Sequence, residues 1–83
     1  MTFEQAQEKA LQYAKEHGYS TIRRAGERDG YWYFHFFNKY SHRMFLGLPH
    51  YVKVSQSSND LVYVEDFHET MWATEQEVEL NNL

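Results

Sequence analysis

The feature that most constrains this chain is an unbroken run of seven aromatic rings, Tyr31 to Phe37, that directly follows Asp29-Gly30. An Asp-Gly pair accommodates the positive φ angles of a tight two-residue turn, so the run is predicted to be the second strand of a β-hairpin. Side chains alternate across a strand. The set expected in the core is Trp32, Phe34 and Phe36. The set expected on the opposite face is Tyr31, Tyr33, His35 and Phe37.

A capping pattern near the start of the chain predicts the first helix. Thr2 is followed three residues later by Gln5, the spacing at which the two side chains satisfy each other's backbone donors. Small residues then recur at helical spacing until Gly18, which is a natural left-handed stop. Their size would let the helix lie close against a sheet, and they are Ala6, Ala10 and Ala14.

Three further strands are predicted around the aromatic run. Thr21 to Arg23 precede the Asp-Gly turn, and Tyr51 to Ser55 shows a second alternating pattern. A polar turn separates that strand from Leu61 to Glu65, in which Val62 and Val64 are expected to point inward. The last two strands are predicted to form a second hairpin.

A second capping pattern predicts the last helix. Asp66 is followed by Glu69 three residues later, which is typical of a helix N-terminus. Residues 74–83 contain few apolar side chains, so this end is expected to fray. The apolar face of the helix is expected to consist of Phe67, Met71 and Trp72.

Together these signals predict one α+β domain over residues 1–83. Its order is an N-terminal helix, a four-stranded antiparallel sheet built from two hairpins, and a C-terminal helix, with both helices packed on one sheet face. With 83 residues, 18% of them aromatic, the chain can build a single core from a few large side chains. It contains no cysteine, which excludes disulfides and thiolate metal sites, and no cofactor is expected.

Charge is unevenly distributed along the chain. All eight lysines and arginines lie within residues 1–60 together with six acids, whereas residues 61–83 carry six acids and no base. The net charges are therefore about +2 and −6, and nucleic acid is not expected as a partner. The start of the chain lacks the pattern of a secretion signal and the aromatic run is too short to span a bilayer, so we expect a soluble, cytoplasmic protein.

Catalytic motifs are missing from the sequence. The four glycines never approach the spacing of a nucleotide-binding loop, and the five serines lack the glycines of a nucleophile elbow. His68-Glu69 resembles half of a helical zinc-protease motif, but Trp72 stands where the second histidine would be needed. The prediction is a protein that is not an enzyme and holds no metal.

A protein-binding surface is therefore the leading prediction for function. Protein interfaces favour Tyr, Trp, Phe and Arg, and this chain carries more aromatic residues than one small core needs. The acidic C-terminal segment is a second candidate contact, for a basic partner. The predicted contacts lie on the polar-tipped sheet face and in the 38–49 loop: Tyr31, Tyr33, His35, Phe37, Tyr40, Arg43 and Tyr51.

Two alternatives stay open from the sequence. A small-ligand or enzymatic site could be centred on His35, with Tyr33 or Tyr63 as its polar neighbour in an aromatic pocket. The aromatic face or an exposed sheet edge could instead join two copies of the chain. The sequence is compatible with a monomer and with a homodimer.

The order of short motifs resembles that of a known group of small domains. A leading A-x-x-x-A helix, a W-x-F strand and a G-x-P segment before the next strand are similar to the small immunity proteins of bacterial toxin systems. Here the strand motif is Trp32 and Phe34, and the segment is Gly47 and Pro49. More distantly, the layout resembles the helix-plus-three-strand module of protease propeptides. Neither resemblance implies a catalytic residue, and both imply an inhibitory or neutralising protein that binds another protein.

Overall fold

The computed structural model describes residues 2–38 and 50–81, without the side chain of residue 81. The described elements follow the predicted order of helix, four strands and helix, and the α+β class is confirmed. All neighbouring strands are antiparallel, in the order β1-β2-β3-β4. The elements are α1 (Phe3–Glu16), β1 (Thr21–Arg28), β2 (Tyr31–Phe37), β3 (Tyr51–Ser55), β4 (Leu61–Tyr63) and α2 (Phe67–Asn81).

Helix α1 begins and ends where the sequence predicts. The Gln5 amide donates to Thr2 Oγ1 at 3.2 Å, and the Thr2 amide donates to Gln5 Oε1 at 2.9 Å, which completes the capping box. After the helix, Gly18 adopts a φ of +84°. The Tyr19 amide donates back to the Ala14 carbonyl at 2.8 Å, so the last turn is closed by local hydrogen bonds.

The first hairpin also forms as predicted, and its first strand contains a bulge. Asp29 and Gly30 have φ angles of +54° and +80°, the left-handed conformation of a two-residue turn between β1 and β2. Along β1 the register shifts between Arg24 and Gly26, which leaves Ala25 as the extra residue. Gly26 has a φ of +151°, and a Cβ there would lie 3.0 Å from Gln76 Cβ on α2. This glycine therefore lets β1 and α2 approach closely.

A first apolar core lies between α1 and one face of the sheet. The three small residues of α1 are buried and pack with Phe34 and Phe36 of β2. Val52 and Val54 of β3 complete this core, and Trp32 borders it as a half-buried ring. Burial of one such side chain contributes about 1.5–3 kcal/mol, so this layer accounts for much of the stability of the sheet.

The two helices lie on opposite faces of the sheet, and the prediction that both pack on one face is wrong. Tyr33 is adjacent to Phe34 in β2 and so points away from α1. It belongs to a second buried cluster, which also contains Ala73 of α2; the other members are Ala25, Tyr51 and Val64. Both faces of β2 carry large rings, and each face is covered by its own helix.

The C-terminal part of the fold differs from the prediction in two ways. Strand β4 ends at Tyr63 rather than at residue 65. Val62 is exposed, so the prediction that it points inward is wrong, whereas Val64 is buried in the second cluster. Leu61 packs against the first core. Helix α2 continues through the segment expected to fray and is described as far as Asn81. The helix is anchored there by polar contacts with the sheet rather than by apolar ones.

Candidate functional site

The sheet face that was predicted to be an open binding surface is covered by α2 through a largely polar layer. The residues of α2 that this layer buries or half-buries are mostly not apolar: Glu69, Thr70, Trp72, Ala73, Thr74, Gln76 and Glu77. The polar groups of Tyr33, His35 and Tyr51 on the sheet hydrogen-bond to carboxylates of α2 instead of to water. Two such carboxylates organise the layer.

Glu77 is the deeper of the two carboxylates. The Nδ1–H group of His35 donates to its Oε1 at 2.9 Å, and the Tyr51 hydroxyl donates to its Oε2 at 2.7 Å. Arg23 lies 3.6 Å from the same carboxylate. Burial alone would raise the pKa of Glu77, but the hydrogen bonds from His35 and Tyr51 and the charges of His35 and Arg23 outweigh it and lower the pKa. The carboxylate is thus held ionised inside the layer.

Glu69, in the first turn of α2, forms the second polar centre. Its Oε2 accepts hydrogen bonds from Lys53 Nζ at 2.8 Å and from the Tyr33 hydroxyl at 2.5 Å. These two hydrogen bonds lower the pKa of Glu69 against the opposing effect of burial. Burial and the neighbouring carboxylate in turn raise the pKa of Tyr33. Lys53 also lies 4.8 Å from the ring centre of Tyr31, which is a cation–π distance.

The predicted contact residues are therefore distributed differently from the expectation. Tyr33 and Tyr51 are fully buried, so the prediction that they lie on the surface is wrong. Tyr31, His35 and Phe37 are half-buried. Tyr40 and Arg43 lie outside the described residues, as does most of the predicted 38–49 contact loop.

His35 is packed between rings and bonded to α2. Its ring centre lies 5.0 Å from that of Phe37 and 5.0 Å from that of Tyr51, and its Nδ1 atom is used by Glu77. The predicted neighbour Tyr63 is hydrogen-bonded to His50 instead, at 2.8 Å. The structure thus ties His35 into the layer between the sheet and α2.

The outer face of α2 carries apolar side chains that the fold leaves uncovered. Phe67 is 53% exposed, Met71 42% and Val78 54%. Spacings of four and seven residues place these three side chains on one side of a helix. The expectation that Phe67 and Met71 face the core is therefore wrong, and only Trp72 of the predicted apolar set packs inward, with its ring 4.9 Å from that of Tyr33. We call Phe67, Met71 and Val78 the outer α2 stripe.

Exposed acidic residues surround the outer α2 stripe. Glu65 and Asp66 precede the helix, and Glu75 and Glu79 follow Met71 at one-turn intervals. All four are exposed, and residues 61–83 contain no lysine or arginine. The surface is thus apolar along its centre and negative at its margin.

The acidic margin of this surface lies in the C-terminal segment that the sequence offers as a candidate contact, but the outer α2 stripe itself is not predicted from the sequence. The apolar residues of α2 were assigned to the core because a surface helix normally buries its apolar side. The informative signal was the second set, in which Glu69, Ala73 and Glu77 recur at four-residue spacing. This spacing predicts a polar inner face for α2 only in combination with hydrogen-bond donors on the facing sheet. The sequence alone does not show where those donors lie.

Other types of site have no support within the described ranges. Among these side chains, no three His, Asp or Glu residues come together in a group that could bind a metal ion. Neither described helix has the length and apolar character needed to cross a lipid bilayer. Comparison of the chain with models of known protein families, with curated proteins and with solved structures gives no match.

Proposed function

We propose that this chain is a non-enzymatic protein-binding module that engages a basic partner protein through the outer α2 stripe and its acidic margin. The observation that carries the proposal is the exposure of Phe67, Met71 and Val78 on a helix whose opposite side is anchored to the sheet by buried carboxylates. Contiguous exposed apolar side chains with a polar rim are characteristic of protein interaction sites.

The orientation of α2 supports this proposal. Rotating the helix so that the stripe faced the sheet would remove Glu69 and Glu77 from Lys53, Tyr33, His35 and Tyr51. That change would leave several buried polar groups without partners, each at a cost of about 1–3 kcal/mol. The sheet therefore holds the apolar stripe toward solvent, where a partner can reach it.

The size and charge of the surface define the partner. Helix α2 has 15 residues and is about 22 Å long at 1.5 Å per residue, comparable with the span of a standard interface of about 800 Å² per partner. Glu65, Asp66, Glu75 and Glu79 would meet lysines or arginines and increase the association rate by long-range attraction. The partner is thus a protein with an apolar groove bordered by basic residues. The resemblance to immunity proteins predicts that this partner is an enzyme neutralised at a one-to-one ratio.

A charge-matched pair of variants tests the proposal. Met71→Lys places a positive charge in the outer α2 stripe, whereas Gln7→Lys places the same charge on an exposed position of α1. Each protein is immobilised and exposed to extract of its native cells at low and at high salt. We expect at least one protein to be retained by the wild type and by Gln7→Lys, lost with Met71→Lys and released by salt. The same dependence must hold when that protein is purified and titrated.

Solution mass distinguishes a second copy from a different partner. Light scattering over a concentration series is expected to show a monomer for the wild type and for Met71→Lys. A wild-type dimer that Met71→Lys dissociates would show that the stripe joins two copies, and would contradict the proposal. Retention of the same proteins by both lysine variants would contradict it as well.

The alternative of a ligand or enzymatic site at His35 has no specific observation in its favour. The Nδ1 atom of His35 is bonded to Glu77, and its ring is packed between Phe37 and Tyr51. These contacts position helix α2. We therefore do not propose this alternative.

A further inference from the structure

A cavity lined by aromatic rings lies at one end of the sheet, apart from α2. Its volume is about 260 Å³, which corresponds to roughly nine water molecules at ~30 Å³ each. The end of α1, the segment before β1, β2 and both ends of the β3–β4 hairpin contribute to it. The lining residues are Tyr13, His17, Tyr19, Phe36, His50 and Tyr63.

The rings of this aromatic cavity are held by contacts with one another. The ring of Tyr13 stacks on that of His17 with centres 4.1 Å apart, and the ring of Tyr19 stands nearly perpendicular to that of Phe36 at 4.6 Å. The Nδ1–H group of His17 donates to the Tyr13 carbonyl at 2.9 Å. Because neighbouring rings restrain each other, little ordering is needed when a ligand enters.

The chemistry of the lining disfavours anions. None of the six lining residues that the structure describes is a lysine or an arginine. Burial, the neighbouring hydroxyls of Tyr19 and Tyr13 and the charge of Glu65 raise the pKa of Tyr63, so a negative charge is unfavourable at its hydroxyl. The faces of aromatic rings are electron-rich and attract cations.

The lining also distinguishes between kinds of cation. A primary ammonium or a guanidinium ion loses strong hydration on binding and needs a carboxylate or several acceptors in return. The described residues of the lining include no aspartate or glutamate. A quaternary ammonium ion carries a dispersed charge and has no N–H groups to satisfy, so aromatic faces alone can hold it.

We propose that the aromatic cavity binds a small quaternary ammonium group of about the size of choline. The rings of Tyr13, Tyr19 and Tyr63 surround the cationic head, Phe36 forms the buried base, and the two histidines complete the wall. The volume of about 260 Å³ is below the range of about 300–1,000 Å³ for drug-sized ligands, and it suits a compact head group. This ligand site is independent of the outer α2 stripe and of the partner proposed for it.

A larger depression in the described part of the molecule does not share these properties. It measures about 670 Å³ and lies between α1 and the β3–β4 turn. Its lining is polar and includes no aromatic residue: Gln5, Glu8, Lys9, Gln12, Ser57, Ser58 and Asn59. The side chain of Lys9 hydrogen-bonds to the Asn59 carbonyl across it. Its surface is mainly polar and offers no ring face to a cation, so the aromatic cavity is the better site for a quaternary ammonium group.

A matched pair of probes tests the proposal by solution NMR. Choline chloride is titrated into the full chain, and 3,3-dimethylbutan-1-ol, which has the same shape without the charge, is titrated in parallel. We expect saturable shifts of the ring protons of Tyr13, Tyr19 and Tyr63 with choline. The neutral alcohol should bind at least about tenfold more weakly, since several cation–π contacts are lost together.

Variants establish where the probe binds. Tyr63→Leu removes one exposed ring and should weaken choline binding about three- to tenfold, whereas Tyr63→Phe keeps the ring and should retain most of the affinity. Phe67→Leu removes a more exposed ring on α2, outside the aromatic cavity, and should leave the affinity for choline unchanged. An NMR spectrum with unchanged dispersion shows that a variant is folded. If Tyr63→Leu is unfolded, Tyr19→Leu provides a second variant that lacks one ring of the cavity.

The outcomes separate the proposal from its rivals. Equal binding of choline and the neutral alcohol, absence of saturable shifts, or unchanged choline affinity in both Tyr63→Leu and Tyr19→Leu would overturn it. Given choline binding, sedimentation with phosphatidylcholine but not phosphatidylglycerol vesicles would identify a lipid head group as the source. If choline binds but the protein sediments with neither kind of vesicle, the natural ligand is a free solute. Either of these two vesicle results supports binding of a quaternary ammonium group.

Discussion

Replacing Glu77 by glutamine removes the charge at the centre of the layer between the sheet and α2 while keeping the size of the side chain. Glu77 accepts hydrogen bonds from His35 and Tyr51, and such bonds to a charged group contribute about 1.5–3 kcal/mol each. Glutamine has one acceptor oxygen, so one bond is lost and the other becomes neutral. Arg23 is 51% exposed and adds little. We expect the free energy of unfolding to fall by about 2 kcal/mol.

Glu75→Gln is the matched control, because Glu75 lies on the same helix and is exposed. It should change the unfolding free energy by less than about 0.5 kcal/mol. Urea denaturation followed by tryptophan fluorescence measures both variants, and for a domain of this size the Glu77 variant should also melt about 10 °C lower. If the two glutamine variants were equally stable, the carboxylate of Glu77 would not anchor α2, and the reasoning would be refuted.

The dependence on pH provides a second test of the same group. The pKa of Glu77 is lower in the fold than in the unfolded chain, where it is about 4.3. The unfolded chain therefore binds the proton more readily, so the stabilisation is fully present above that pKa and is lost as the pH falls through the folded value. The stability difference between the wild type and Glu77→Gln should shrink below about pH 4. A difference that stayed constant down to pH 2.5 would contradict this.

Two backbone and packing predictions follow from the two faces of the sheet. Gly26→Ala should destabilise the fold by about 1–3 kcal/mol in the same denaturation assay. The new Cβ would lie 3.0 Å from Gln76 Cβ, and the φ of +151° is unfavourable for alanine. Stability equal to that of the wild type would show that β1 and α2 do not approach so closely. Ala10→Leu should cost about 1–3 kcal/mol by overpacking α1 against the sheet, while Gln12→Leu, on an exposed position of the same helix, should be nearly neutral. Equal effects of the two leucine variants would contradict the buried position of Ala10.

Features that depend on neighbouring residues were predicted correctly from the sequence. The Thr2 and Gln5 capping box, the stop at Gly18 and the turn at Asp29-Gly30 each rest on residues no more than three positions apart. The buried alanine stripe of α1 follows from a regular spacing along one helix. These features can be predicted from the sequence because the residues that cause each of them lie within one helix or one turn.

The candidate surfaces could be predicted only in part. Tyr33 and Tyr51 were correctly assigned to the opposite side of the sheet from the first core, but their polar tips were expected in water. In the fold those hydroxyls donate to Glu69 and Glu77, which are 36 and 26 residues away in sequence. The aromatic cavity likewise joins rings from separate elements, and no local pattern relates them.

The sequence by itself therefore determined the elements, their order and the core between α1 and the sheet, because capping, turn conformation and side-chain alternation are local properties. Only the tertiary structure decided which side of α2 faces inward. A carboxylate is buried at low cost only where donors meet it, so the polar side of α2 became the inner one when Tyr33, Tyr51, His35 and Lys53 were brought opposite it. That same choice left the apolar side of α2 exposed as a candidate interface.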